Sequence, residues 1–423
     1  MRSRGGRRDG LSRADASNIA IDAPDQANVF LLAGVLRPGG VVRADGSVDV
    51  GLLRDVIGAR AATMPRLAQR VVRQGRRLVW EPCVLDLHRQ VRMLSPVAGL
   101  AGFESLCAEL IVTPLPTGLP LWEVLLVPGV TPDAPGVILR IHHALADGLA
   151  AVRIVDALFD PVSGRATSGL PPHPARPSAR LGVIAAAVAG VRRTAAMFRS
   201  AVPRTILLGP LGRRRGLAFA AVDLDGVRHG AEVAGATLND ALLAALAHAI
   251  RTVLAAAGEV LPDSLPVSVP VALPHRDGSG NAVGVMLVPL PTGVLGTVER
   301  LQRVAALTAT SKVEARAQGM LEVMRTRWGA ALFARFARHQ RLVAGFVTNV
   351  PGPVEARSLG GALVERAWPV TTLQGNVRLG VSALSYAGEL FCSIHCDAAG
   401  PDPRAIRSEL LREFRRIGDL GRS

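Results

Sequence analysis

The residues best suited to chemistry lie together at Arg140-Ile141-His142-His143-Ala144-Leu145-Ala146-Asp147-Gly148. Two neighbouring imidazoles are followed by a carboxylate and then a glycine. A neutral imidazole, with an ordinary pKa of about 6.5, can take a proton from an attacking hydroxyl, which is worth roughly 10²–10⁴ in rate. The imidazolium can then return that proton to a departing thiolate. A thioester is already an activated acyl donor, so such a reaction needs a positioned base and no covalent serine. In a turn from strand to helix, His143 and Asp147 can lie on the same side. Asp147 stands where a helix N-cap belongs, and Gly148 lets the backbone pass closely behind it. Asp147 is read either as loop architecture through a buried ion pair or as an orienting or relay group.

Other chemistry-bearing patterns are weaker. Gly278-Ser279-Gly280-Asn281 precedes a strand instead of joining strand to helix, so it misses the dinucleotide-binding context. Cys392, His395 and Cys396 suggest a metal site, but in a strand both cysteines face away from His395 and no fourth ligand is evident. No metal or cofactor is therefore expected. Neither a GxSxG elbow nor a Walker loop occurs.

The elements around the histidine pair follow from periodicity. Leu121–Val127 and Val137–Ile141 are apolar runs of strand length. After the pair, Ala151, Ile154, Val155, Leu158 and Phe159 mark one face of a helix. Further on, Leu242, Ala245, Leu246, Ala249, Ile250 and Val253 form a second helical stripe, with Thr237 as its cap and Asp240 in its first turn. Val267, Val269 and Val271 alternate as a strand, and Val283–Val288 does so less cleanly. Val381–Ser385 and Leu390–Cys396 flank Tyr386-Ala387-Gly388 as a hairpin. A last helix is capped by Asp402, opens on Pro403, and turns Ile406, Leu410, Phe414 and Ile417 inward.

The chain has 423 residues, too many for one ordinary core, and divides by composition. Residues 1–16 read as a disordered basic tail without the apolar core of a secretory signal. Residues 17–160 and 216–423 read as two α/β subdomains. Between them, 161–215 reads as a proline-rich linker and a basic, apolar helix near 181–200, because no acidic residue occurs between Asp160 and Asp223. That helix either bridges the subdomains or lies on anionic lipid. Formal charge is +15, and Lys312 is the only lysine. This arginine skew also fits a GC-rich coding sequence, which weakens charge as a functional signal. With one tyrosine and 4% aromatics there is no base-stacking platform, so nucleic acid is not an expected partner. Four cysteines are too few for a disulfide framework. No run of about 18 apolar residues suggests a membrane span. The expected location is cytoplasmic, with the inner membrane or lipid droplets as peripheral sites.

The His142-His143-xxx-Asp147-Gly148 signature resembles that of chloramphenicol acetyltransferases, peptide-synthetase condensation domains and bacterial wax ester synthase/diacylglycerol acyltransferases. Four further stretches are similar to motifs of the last group. They are Pro120-Leu121-Trp122, Asn239-Asp240-Ala241-Leu242-Leu243-Ala244, Thr348-Asn349-Val350-Pro351-Gly352-Pro353 and Ser385-Tyr386-Ala387-Gly388. Asp86-Leu87-His88-Arg89 echoes another only loosely, and Ser17–Val35 lacks most of the family's N-terminal pattern. The resemblance implies an α/β fold of two chloramphenicol-acetyltransferase-like subdomains with mixed sheets and a tunnel between them. It makes His143 the base, with His142, Asp147 and Gly148 completing the catalytic group. Trp122, Asn239, Asp240 and Asn349 become candidates for substrate binding. For Asn239 and Asp240 the alternative is a helix's first turn, and for Asn349 a structural turn. The implied partners are acyl-CoA, as co-substrate, and a lipid alcohol such as diacylglycerol or a long-chain alcohol. The alternatives are a condensation-type enzyme acting on another alcohol or amine, and a lipid-binding paralogue with little turnover.

Overall fold

The computed structural model describes residues 9–20, 22, 26–75, 77–116, 118–146, 148–162, 202–272, 283–316 and 335–422. In chain order the first part contains β1 (Asp9–Gly10), α1 (Arg13–Ala20), β2 (Val29–Leu36), α2 (Val50–Ala61), β3 (Gln69–Gln74), β4 (Arg77–Pro82) and α3 (Leu87–Gln90). β5 (Val91–Met93), α4 (Gly99–Leu110), β6 (Trp122–Val127), β7 (Gly136–His142), α5 (Gly148–Leu158) and β8 (Asp160–Pro161) follow. The second part contains β9 (Arg215–Asp223), α6 (Leu224–Val233), α7 (Leu238–Ala256), β10 (Ser264–Ala272), β11 (Val283–Pro291), α8 (Thr297–Arg316) and β12 (Gly345–Pro351). It ends with β13 (Arg357–Leu359), β14 (Ala362–Val370), β15 (Leu379–Tyr386), β16 (Glu389–Asp397) and α9 (Pro403–Leu420).

Both runs flanking the histidine pair are central strands. Every residue of β6 and β7 is buried, as expected for strands covered on both faces. The sheet that holds them has the order β5-β6-β7-β2-β14-β13-β8, and a six-stranded sheet has the order β11-β10-β12-β15-β16-β9. Each mixes parallel with antiparallel pairs. The α/β architecture of two mixed sheets expected from the sequence is therefore present. A small third sheet, β1-β4-β3, lies beside the first.

The expected boundary between subdomains needs correction. β13 and β14 lie in the second part of the chain but join the first sheet, where β14 pairs with β2 from Val370↔Leu31 to Val364↔Leu36. Around this exchange the scarce aromatics collect. Phe219 of β9 stacks on Trp368 of β14, with centroids 4.6 Å apart and planes 9° apart. Trp368 meets the edge of Phe391 at 5.6 Å, and its indole donates to the Ala220 carbonyl at 3.0 Å. Stacked and edge-on pairs contribute roughly 0.5–1.5 kcal/mol beyond the area they bury.

One other expectation changes, and the expected helix near 181–200 lies outside the described residues. The described end of the supposed disordered tail is structured, since Asp9 and Gly10 pair with Trp80 and Val79, and α1 begins at Arg13. Within 161–215, residues 163–201 lie outside the described residues. Residues 202–214 form no helix and carry Val202 and Leu207 into the second core. The helix α7 is long and apolar enough to cross a membrane, but 61% of its apolar window is buried inside the protein, so it serves as a core helix.

Candidate active site

β7 delivers His142 and His143 to the end of the first sheet. Its neighbour Arg140, 2% exposed, anchors the strand. The guanidinium pairs with Glu123 on β6, which also binds Arg92 at 2.7 Å, and donates to the Leu110 carbonyl at the end of α4 at 2.9 Å. Burial lowers the Arg140 pKa, while Glu123 opposes that shift. The Pro120-Leu121-Trp122 stretch supports the same end, because the His142 amide donates to the Leu121 carbonyl at 3.0 Å.

The two histidines have different surroundings. The His142 ring is 3% exposed and engaged at both nitrogens. Its Nδ1 accepts the Ala144 amide at 2.9 Å, which places the proton on Nε2, and Nε2 lies 2.9 Å from the Asp22 carboxylate. A ring held in one tautomer by two partners shapes the loop and has no nitrogen left for a substrate. His143 is half-buried, with its ring centroid 5.1 Å from that of Phe30 on β2. Its amide donates to the Asn28 carbonyl at 2.9 Å, and its own carbonyl accepts the Asn18 side-chain amide at 3.1 Å. Asp147 lies outside the described residues. Gly148 opens α5, in line with a turn from strand to helix.

The remaining candidates divide. Trp122 has no exposed surface, and its indole donates to the Leu67 carbonyl at 2.9 Å. It is a core residue, which corrects the expectation that it touches substrate. Asp240 is also structural. It forms a capping box with Thr237 and accepts the Thr308 hydroxyl at 2.6 Å, so its carboxylate belongs to the α7–α8 contact. Asn239 sits half-buried beside it in the same first turn. Asn349 lies on β12 opposite Ala383 of β15, half-buried within the parallel pair. The nearby Gly352 has a local reason, since a Cβ there would stand 2.3 Å from the Ser385 carbonyl oxygen.

Asn18, Asp22 and Asn28 escaped the sequence reading because they fall where the family-like pattern is weakest. The only local signal was a run of short polar side chains before an apolar strand. The Gly278–Asn281 loop lies outside the described residues. Cys392 and Cys396 point into the second core, where burial raises the Cys392 thiol to about 12 and also raises Cys396. His395 takes the other side of β16, with Nδ1 2.8 Å from the Thr371 carbonyl, as the strand alternation required. Burial depresses its pKa to about 4.

Known proteins share this pattern. The model of the wax ester synthase/diacylglycerol acyltransferase catalytic domain matches residues 11–242, and that of the family's C-terminal domain matches 279–418. A Mycobacterium tuberculosis protein named for diacylglycerol O-acyltransferase activity is 30% identical over 412 residues, covering 86% of this chain and 87% of that protein. Among solved structures, the wax ester synthase/diacylglycerol acyltransferase from Marinobacter aquaeolei VT8 superposes with a TM-score of 0.72 at 20% identity, covering 98% of this chain and all of that one. A trichothecene 15-O-acetyltransferase from Fusarium sporotrichioides has the same fold, with a TM-score of 0.64 at 13% identity over 98% of this chain and 95% of that one.

Proposed function

Because the chain belongs to the wax ester synthase/diacylglycerol acyltransferase family, we propose that it uses His143 to transfer a fatty acyl group from acyl-CoA to a lipid alcohol. The product is triacylglycerol when the acceptor is diacylglycerol and a wax ester when it is a long-chain alcohol. The His143 imidazole takes the hydroxyl proton as the oxygen attacks the thioester carbonyl. The tetrahedral intermediate collapses, the carbon–sulfur bond breaks, and the imidazolium gives its proton to the CoA thiolate. The thioester supplies the activation, so the reaction calls for no cofactor.

The observation that supports this reading is the engagement of the His142 ring at both nitrogens, by Asp22 and by the Ala144 amide, beside a half-buried His143 at the same end of the sheet. The test is His143→Ala in purified protein, with thiol release and lipid product measured together. Turnover is expected to fall by roughly 10²–10⁴ with the fold retained. Thiol release within about tenfold of wild type would remove His143 from the reaction.

We also propose that the protein works at a cytoplasmic lipid surface, on the inner membrane or lipid droplets. The acceptor's insolubility and the acid-free stretch between Asp160 and Asp223, with Arg192, Arg193, Arg199, Arg204, Arg213 and Arg214, support this, whereas Arg215 is buried against Asp397 and takes no part. Each basic residue near an anionic surface contributes roughly 1 kcal/mol, screened over about 10 Å at 0.1 M salt. The protein should float with anionic vesicles at low salt and be released as salt rises. Failure to float at low salt would refute the arginine attraction.

A further inference from the structure

Both backbone polar groups of His143 are held by asparagines from one short N-terminal segment. The Asn18 side-chain amide donates to the His143 carbonyl at 3.1 Å, and the His143 amide donates to the Asn28 carbonyl at 2.9 Å. The asparagines also hold each other. The Asn28 side-chain amide donates to the Asn18 carbonyl at 3.1 Å and to its side-chain oxygen at 3.2 Å. Asn28 is 3% exposed, and its amide donates to Asp22, the carboxylate that fixes His142, at 2.6 Å.

The cradle reaches into the second part of the chain. The Asn28 side-chain oxygen accepts the Gln374 amide at 3.3 Å. The Gln26 side chain exchanges two hydrogen bonds with the Gly375 backbone, each 3.2 Å, and the Thr372 hydroxyl donates to the Ala27 carbonyl at 3.1 Å. The 372–375 connection joins β14 of the first sheet to β15 of the second. A shift between the sheets is therefore passed through Asn28 to the backbone of His143.

We propose that Asn18 and Asn28 are positioning residues for His143, and that Gln374 ties their cradle to the second sheet. This rests on the reading of His143 as the base. Substrate binding does not depend on the cradle in this arrangement, whereas the aim of the imidazole does. Displacing a reacting group by about 1 Å can cost about 10²-fold, so partial loosening by Asn18→Leu is expected to lower kcat about tenfold. The KM for acyl-CoA should stay within about twofold, which marks loss of an interaction felt in the transition state.

Steady-state kinetics of Asn18→Leu, Gln374→Ala, their double variant and His143→Ala test the proposal, with melting measured alongside. Gln374→Ala should lower kcat about threefold, and the double variant should fall short of the product of the two single effects, since both act on one cradle. An Asn18→Leu protein with wild-type kcat beside an inactive His143→Ala would overturn the positioning role and leave the base assignment standing. A kcat that falls only in proportion to the folded fraction, with a lowered melting temperature, would make the cradle merely structural and overturn it too. Should Asn18→Leu fail to fold, Gln374→Ala decides alone, since Gln374 is exposed, and an unchanged kcat refutes the coupling. An active His143→Ala removes the base, and this inference with it.

Discussion

At the scale of single residues, titration separates histidines by what surrounds them. His395 is 2% exposed, its Nδ1 meets the Thr371 carbonyl, and its Nε2 is buried without a hydrogen-bond partner. Burial, reinforced by Arg215, lowers its pKa to about 4. An unfolded chain protonates this histidine near its ordinary value of about 6.5, so between about 6.5 and 4 the unfolded state binds the extra proton. Stability should therefore fall as pH drops through that window, by up to about 1.4 kcal/mol per pH unit. Denaturant unfolding at stepped pH checks this against His395→Gln, which should flatten the His395 share of the slope. An identical slope in the variant would show that other groups carry it. The sequence marked the His142–His143 pair by type and spacing, but it did not reveal that the His142 ring is held at both nitrogens. One of those partners is Asp22, 120 residues away in the chain, and hydrogen bonds of such range leave no periodic trace.

At the scale of elements, the helices α5, α7 and α9 and the strands β6, β7, β10, β11, β15 and β16 were legible because their apolar periods are regular. The stripe from Leu242 to Val253 is α7, and the Val267-Val269-Val271 alternation is β10. The hairpin turn is present as expected, with Ala387 at φ 49° and Gly388 at φ 86°, the paired positive values of a I′-like turn. Side-chain roles at element ends were harder to read, and Asp240 shows why. A carboxylate in a helix's first turn fits a cap as well as a site, and only the partners decide. Asp240 accepts the Thr237 amide at 2.9 Å, the Thr237 hydroxyl at 2.6 Å and the Thr308 hydroxyl at 2.6 Å while 3% exposed. Asp240→Ala removes a cap worth about 1 kcal/mol and a charge-assisted hydrogen bond from the buried Thr308 hydroxyl worth about 1–2 kcal/mol, so a loss of about 2–3 kcal/mol is expected. Chemical denaturation measures the loss, and the folded fraction should keep its KM for acyl-CoA. A raised KM with unchanged stability would return Asp240 to the substrate.

At the scale of the whole molecule, the two sheets are parts of one folding unit, and this could not be read from the sequence. Local sequence does not say which sheet receives 362–370. A division at 215/216 looks natural from composition, yet it would separate β14 from β2, its partner over Val364–Val370. The first fragment would then present β2 as a bare edge, an arrangement prone to pairing with other chains. The second would carry Trp368 away from the β2–β7 layer, although its stacking on Phe219 and its bond to the Ala220 carbonyl would remain. Glu104 on α4 adds a polar tie across the same cut, accepting the Phe219 amide at 2.8 Å and lying 3.5 Å from Arg407 on α9. The intact protein is therefore expected to unfold in one transition, with tryptophan fluorescence and far-ultraviolet circular dichroism coinciding. Residues 1–215 and 216–423 made separately should show no cooperative melting, and acyl transfer should return only when the two are produced together. Two resolved transitions in the intact chain, or sharp melting of either fragment alone, would mean that each sheet tolerates loss of the exchanged strands. The exchange would then serve to align the halves around His143 and not to hold them folded.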